Sequence, residues 1–361
     1  MQKGYLILEN GQVFPGVRCG APKNAVGELV FTTGMTGYLE TLTDPSYYGQ
    51  IVMQTFPLIG NYGVIPADFE SARSYVRAYV ARELCADPSN FRAAGALSEW
   101  LAAQRIPCLT GVDTRQLTRI VRERGVMNAI LSTEPVLSDA EKRALRNYRV
   151  REAVEAVTCK KSFSEGKGRR VVLCDYGAKA NIRRELVKRG CEVITVPGRT
   201  PGAEILALRP DGIMLSNGPG DPADNAPIIR QIRFLFDSGV PMFGICLGHQ
   251  MMAIAYGGRT RKMKYGHRGA NQPVQNTRTG RVCITSQNHG YCVVGESLGL
   301  GAELTYINAN DGTCEGVRYE EFPGFSVQFH PEACGGPLDT GFLFDEFIAL
   351  MEEVNVNAAQ S

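Results

Sequence analysis

A chain of 361 residues, 44% hydrophobic and 21% charged, is long enough for two globular domains, each with its own core. A formal charge of +2 gives no electrostatic case for nucleic acid or a membrane surface, and no run approaches the roughly 18 apolar residues of a membrane span. Eleven cysteines, an odd number without a repeated Cys-x-x-Cys frame, argue against a zinc ribbon or a disulfide scaffold and for a reducing compartment.

At the start, Glu9 interrupts an apolar stretch too short for a signal peptide, so a cytoplasmic protein is expected. Tyr5–Leu8 reads as a strand, and Asn10-Gly11 is a hairpin turn signal. Glu28–Phe31 is a second strand, leading into a Thr-, Gly- and Tyr-rich loop that ends at Gly49. Ile51–Phe56 is a further strand, with another near Tyr75–Val80 and a helix near Ala96–Gln104. Asp113 or Thr114 caps a basic helix whose Arg115, Arg119 and Arg122 form a solvated stripe. Nothing here pairs a nucleophile with a base, so by chemistry residues 1–155 are a β-rich scaffold or docking domain. Residues 156–169 are polar, basic and glycine-containing, and read as a linker.

From Arg170 the pattern alternates. Strands at Val171–Asp175, Val193–Val196, Gly212–Ser216 and Val240–Ile245 are separated by helices at Ala180–Arg189, Glu204–Leu208 and Pro227–Phe236. Successive β-α-β units predict a parallel sheet with helices on both faces over residues 170–361. Such sheets bind ligands at the carboxyl ends of their strands. Cys246 sits there, between the strand and a helix-period run closed by Gly257-Gly258. A helix N-terminus lowers the pKa of a thiol placed on it, and the N–H of Leu247 points to where an oxyanion would form. Gly244 and Gly248 are expected to let the backbone turn sharply around the sulfur. The Gly-x-Cys-x-Gly frame alone fits a buried, inert cysteine equally well.

A cysteine nucleophile needs a base, and the base an orienter. Of four histidines, His249 follows Cys246 too closely on the same helix to return to the sulfur and reads as structural. His267 falls in a glycine-rich stretch expected to be a surface loop, and His289 in an expected turn. His330 ends the strand Phe325–Phe329 and precedes Pro331-Glu332. Residues two apart on an extended segment point the same way, so Glu332 can hold one ring nitrogen while the other faces a thiol. Cys246, His330 and Glu332 are therefore the triad the chemistry selects. The loop Ser216-Asn-Gly-Pro-Gly-Asp-Pro222 lies at the same sheet edge. It is a tight turn without a ligand, or a second oxyanion donor or substrate clamp; a phosphate cradle lacks its Gly-x-x-x-x-Gly-Lys-Ser/Thr signature.

Gly244–Gln250, Ser216–Pro222 and His330–Glu332 together resemble the class I, triad-type glutamine amidotransferases. The N-terminal half, through Phe31–Tyr38, Leu42–Tyr47, Ile59–Val64 and Gly111–Arg119, is similar to the domain of carbamoyl phosphate synthase small chains. The resemblance covers nearly the whole chain. It implies a flavodoxin-like α/β amidotransferase domain behind a β-rich α/β domain, and a ligase complex in which this subunit hydrolyses L-glutamine. Cys246 would form the thioester, His330 would serve as base and acid, and Glu332 would orient it. Glutamine contacts are implied at Ser46, Gly218, Gly220, Leu247, Gln250, Asn288, Gly290 and Tyr291, the last being Phe in some relatives. The implied partner is a large ATP-binding chain, forming a heterodimer or higher oligomer, that makes carbamoyl phosphate for pyrimidine and arginine biosynthesis. ATP and Mg belong on that partner, with no cofactor or metal in this chain and no nucleic acid or membrane partner. A glutamine-binding docking subunit without hydrolysis, or an amidotransferase serving another synthetase, are the competing readings; the intact triad opposes the first and the N-terminal motifs the second.

Overall fold

The computed structural model describes residues 2–360, with side chains described through residue 356. The outermost ends of the two predicted domains, Met1 and Ser361, lie outside the described residues. The chain separates into two compact units, meeting in sequence between Arg151 and Glu152.

The first unit holds β1 (Lys3–Leu8), β2 (Val13–Gly20), β3 (Ala25–Thr32), α1 (Tyr38–Thr43), β4 (Gln50–Gln54), β5 (Leu58–Ile59), β6 (Ala78–Val80) and β7 (Glu83–Leu84). It continues through α2 (Leu97–Ala103), β8 (Pro107–Thr110), α3 (Thr114–Arg124), β9 (Met127–Ser132) and α4 (Asp139–Asn147). A closed barrel forms in the order β1-β2-β8-β6-β4-β3-β9, with β5 and β7 paired separately. The Asn10-Gly11 signal does what such dipeptides do: Gly11 takes φ 88° and β1 pairs antiparallel with β2. Asp113 caps α3 by accepting from the Gln116 N–H, and Arg115, Arg119 and Arg122 are exposed.

The second unit opens with α5 (Ala153–Val157), β10 (Phe163–Gly166), β11 (Arg169–Asp175), α6 (Ala180–Lys188), β12 (Cys191–Pro197), α7 (Gly202–Ala207) and β13 (Gly212–Leu215). It proceeds through α8 (Ala226–Phe236), β14 (Met242–Ile245), α9 (Leu247–Ala255), β15 (Thr260–Asn276) and β16 (Val282–Val293). It closes with β17 (Ala302–Asn308), β18 (Cys314–Tyr319), β19 (Gly324–Val327) and α10 (Phe342–Gln360). One ten-stranded sheet runs β10-β12-β11-β13-β14-β19-β18-β17-β15-β16, parallel from β12 to β19 and antiparallel beyond. Alternate residues of β11 face opposite layers, as a strand's period of two requires. Val172 and Cys174 pack with α7, α8 and α9, whereas Val171 and Leu173 pack with α6 and α10. The stretch read as a linker, residues 156–169, begins inside α5 and contains β10, which pairs antiparallel with β12. Its polar composition belongs to an exposed edge strand rather than a free tether.

Candidate active site

Three neighbouring strands deliver the predicted site. β14 lies between β13 and β19 in parallel register, with Leu215 opposite Gly244 and Ile245 opposite Val327. The segments leaving these strands carry Ser216–Gly220, Cys246 and His330 out of the same sheet edge.

Cys246 is buried and has φ 54° and ψ −101°, a left-handed conformation that a side-chain-bearing residue holds only when its surroundings impose it. Its N–H donates to the Val327 carbonyl at 2.8 Å, and its carbonyl accepts from the Gln250 N–H at 3.0 Å. The turn expected of Gly244 and Gly248 is thus made by the cysteine itself, since neither glycine has a positive φ. The glycines serve packing instead: a Cβ on Gly248 would lie 2.3 Å from the Leu215 carbonyl oxygen, so α9 sits directly on β13. That contact also lets the Gly248 N–H donate to the Ser216 carbonyl at 3.0 Å. Leu247 opens α9, where a helix's first N–H groups have no intrahelical acceptor. Across from it, Gly218 lies so close to β11's exit that a Cβ would meet the Tyr176 carbonyl oxygen at 2.3 Å and the Leu247 side chain at 2.8 Å. Gly220 takes φ 92° in the same turn.

His330 and Glu332 are both buried, and the His330 Nδ1–H donates to Glu332 Oε1 at 2.7 Å. The other ring nitrogen, Nε2, is buried with no hydrogen-bond partner, so with Nδ1 on Glu332 it is the ring position left to exchange a proton. The His330 N–H donates to the Ser286 carbonyl at 2.9 Å, which fixes the backbone beneath the ring. Burial opposes charge on Glu332, but His330 and the ammonium of Lys179, 3.4 Å from Oε1, overcome it and hold the carboxyl at about 2. The sequence reading missed Lys179. Its signal was position: Asp175-Tyr-Gly-Ala-Lys179 leaves β11 at the ligand-binding edge, where Asp175 Oδ1 accepts from the N–H groups of Gly177 and Ala178. The Lys179 N–H donates in turn to Asn217 Oδ1 at 3.0 Å, joining that turn to the Ser216–Pro222 loop.

The segment Asn288–Tyr291 of β16 forms a further wall. The Cys246 sulfur is 3.8 Å from the Asn288 carbonyl oxygen, and Gln250 Nε2 donates to the Tyr291 carbonyl at 2.8 Å. Gly290 lies between them. Ser46 belongs to the first unit, buried in a single 3-10 turn whose start Asp44 caps through the Ser46 N–H at 2.8 Å.

The remaining histidines divide as follows. His249 is structural, as read: it is fully buried, its Nδ1 lies 2.8 Å from Ser326 Oγ, and burial pushes its pKa down to about 3. His267 and His289 are neither loop nor turn residues. They are buried and face one another across β15 and β16, their rings edge to face at 5.0 Å. The glycines around His267 mark bulges within one long strand, as the shifts in pairing between Lys262 and His267 and between Gly269 and Gln272 show. His267, His289 and Glu315 bring one ligand atom each within 4.8 Å of the others, a spacing a metal ion could use. Their nitrogens and oxygens also face Asp311, Asn308, Gln287 and the Tyr291 carbonyl, which compete with an ion for them.

Residues 172–350 match the family Glutamine amidotransferase class-I, and residues 6–131 match Carbamoyl-phosphate synthase small chain, CPSase domain. A carbamoyl phosphate synthase small chain from Bacillus caldolyticus is 51% identical over 358 residues, 98% of each chain. The chain belongs to the carbamoyl phosphate synthase small chain family. A family member from Symbiobacterium thermophilum is 48% identical over 97% of this chain and 99% of its own. The pyrimidine-specific small chain of Bacillus subtilis is 49% identical over 97% and 96%. The second unit is accordingly a class I glutamine amidotransferase domain, and the β-rich first unit carries the domain that distinguishes this family. Among the described residues no helix is long and apolar enough to cross a membrane.

Proposed function

We propose that this chain is the glutamine-hydrolysing subunit of a carbamoyl phosphate synthase, with Cys246, His330 and Glu332 as its triad. The observation that carries the assignment is the strained, buried Cys246 at the sheet edge that also delivers a His330 ring with one nitrogen on Glu332 and the other unpartnered. Cys246 gives its proton to His330 Nε2, and the thiolate attacks the side-chain amide carbon of L-glutamine. The resulting oxyanion is held by the N–H groups of Leu247 and Gly218, each such donor contributing about 2.7–4 kcal/mol of barrier reduction in hydrolases of this logic. Collapse breaks the C–N bond as His330 protonates the departing nitrogen, giving ammonia and a thioester on Cys246. Water, deprotonated by His330, then attacks the thioester; glutamate leaves and the sulfur recovers its proton. Glu332 keeps the imidazole in the tautomer that accepts at Nε2 and stabilises the imidazolium between steps.

Ser46, Gly218, Gly220, Leu247, Gln250, Asn288, Gly290 and Tyr291 are the glutamine contacts in this reading. The ammonia passes to a large, separate ATP- and Mg-binding chain in the cytoplasm, where bicarbonate becomes carbamoyl phosphate for pyrimidine and arginine synthesis. Family membership supports the large-chain partner, and the name of the Bacillus subtilis relative supports the pyrimidine branch. The deciding experiment compares glutamate release by the purified chain and by Cys246→Ser, alone and with the large chain and ATP. Release by the parent and none by the variant is expected. Equal inactivity under both conditions would sink the triad and leave a subunit that docks and binds glutamine only.

A further inference from the structure

Behind the wall formed by Asn288–Tyr291 lies a buried polar chain that the triad does not use. At its root is Glu315 on β18, with no exposed surface. Its Oε1 accepts from Asn308 Nδ2 at 3.1 Å and lies 3.4 Å from His267 Nδ1; its Oε2 accepts from Gln287 Nε2 at 3.0 Å. Gln287 Nε2 also donates to Thr285 Oγ1 at 3.1 Å. The Thr285 hydroxyl spends its own proton on the Gln272 carbonyl, so it can only accept there. The amide of Gln287 is therefore held with its nitrogen toward Glu315 and its oxygen toward the site. That oxygen lies 2.9 Å from His289 Nε2, and the Tyr291 carbonyl 2.7 Å from His289 Nδ1; burial holds the ring neutral, so its single N–H donates to one of these two acceptors. The same carbonyl takes the Gln250 Nε2–H, one turn along α9 from Cys246.

We propose that Glu315 is a positioning residue for glutamine binding: through Gln287 and His289 it sets the Asn288–Tyr291 segment that lines the substrate site beside Cys246. The inference rests on the reading of that site given above. Burial raises the pKa of Glu315, and a carboxyl in this interior is satisfied only if its donors hold their own orientations, so the group acts as a template for the segment. Cys246 is held apart from this chain, its N–H on the Val327 carbonyl, whereas the His330 N–H reaches the Ser286 carbonyl beside Gln287. Disturbing Glu315 should accordingly weaken substrate binding more than the chemical steps.

The test measures steady-state glutaminase kinetics of the full chain. Glu315→Gln keeps the shape but places an NH2 group against a shell of donors. It is expected to raise KM for glutamine roughly tenfold, equivalent to about 1.4 kcal/mol, while kcat changes by less than about threefold. A merely structural role would change kcat along with KM, or neither. An unchanged KM in a folded Glu315→Gln protein, or a fall in kcat alone, overturns the proposal. Should that variant fail to fold, Asp311→Asn decides, since Asp311 is partly exposed and binds His267 Nε2 at 3.0 Å from the far side. There a roughly twofold rise in KM supports the proposal, and no change overturns it. Glutamate release surviving in Cys246→Ser would instead overturn the site assignment itself, whatever Glu315 does.

Discussion

The second unit contains two buried histidine–carboxylate pairs, and they are finished differently. His267 is enclosed: Asp311 and Glu315 stand on its two nitrogens, and Glu315 is further tied to Asn308 and Gln287. Together the two carboxylates outweigh burial and raise the histidine's pKa. His330 is tied on one side only, to Glu332, and its Nε2 has no partner. On the proposed triad the difference separates support from chemistry: a closed network fixes geometry, while a reactive one leaves one nitrogen without a partner. An unpartnered nitrogen alone does not suffice. His249 Nε2 also lacks one, but no carboxylate stands behind that ring, and burial keeps it neutral.

The comparison can be broken most forcefully at its closed end. Glu315→Leu strands His267 and should destabilise the fold by about 3–5 kcal/mol in denaturant titration. A loss below about 1 kcal/mol would mean the network is not the support described. At the open end, Glu332→Gln should lower kcat about 100-fold at pH 7, with KM little changed, because the tautomer and the imidazolium both lose their partner. Lys179→Met removes the ammonium beside Glu332. The carboxyl should then titrate higher than its present value of about 2 while staying ionised at neutral pH. A drop of roughly tenfold in kcat, with the acid limb of the pH profile moved upward, would place Lys179 in the same pair. The smallest effect concerns His249. Its folded pKa of about 3 lies below its unfolded value of about 6.5, so the unfolded chain binds the extra proton first. Its contribution to stability is complete above about pH 6.5 and declines as pH falls toward 3, and His249→Gln should flatten that part of the stability profile. A profile unchanged by the substitution would show that this ring does not resist protonation.

Local signals made much of this legible. The β-α-β alternation, the Asn10-Gly11 hairpin and the Asp113 cap depend on neighbours in sequence, and so does the His330–Glu332 pair, set by a spacing of two. What escaped was set by partners far along the chain. Glycines at 266 and 269 read as a loop because a bulge and a turn use the same residue, and only pairing with β16 tells them apart. Lys179 meets Glu332 across more than a hundred residues, a proximity that no spacing rule encodes. The sharp turn at Cys246 was expected from Gly244 and Gly248 but is made by the cysteine itself, because the closeness of Gly248 to β13 is a tertiary fact.

The left-handed backbone at Cys246 has a consequence for how this protein can evolve. A glycine there would relieve strain of about 1–3 kcal/mol, so Cys246→Gly should melt higher than the parent while being unable to form a thioester. Selection for robustness alone would erase the nucleophile. On the proposed triad, a side chain at this dihedral angle trades stability for turnover.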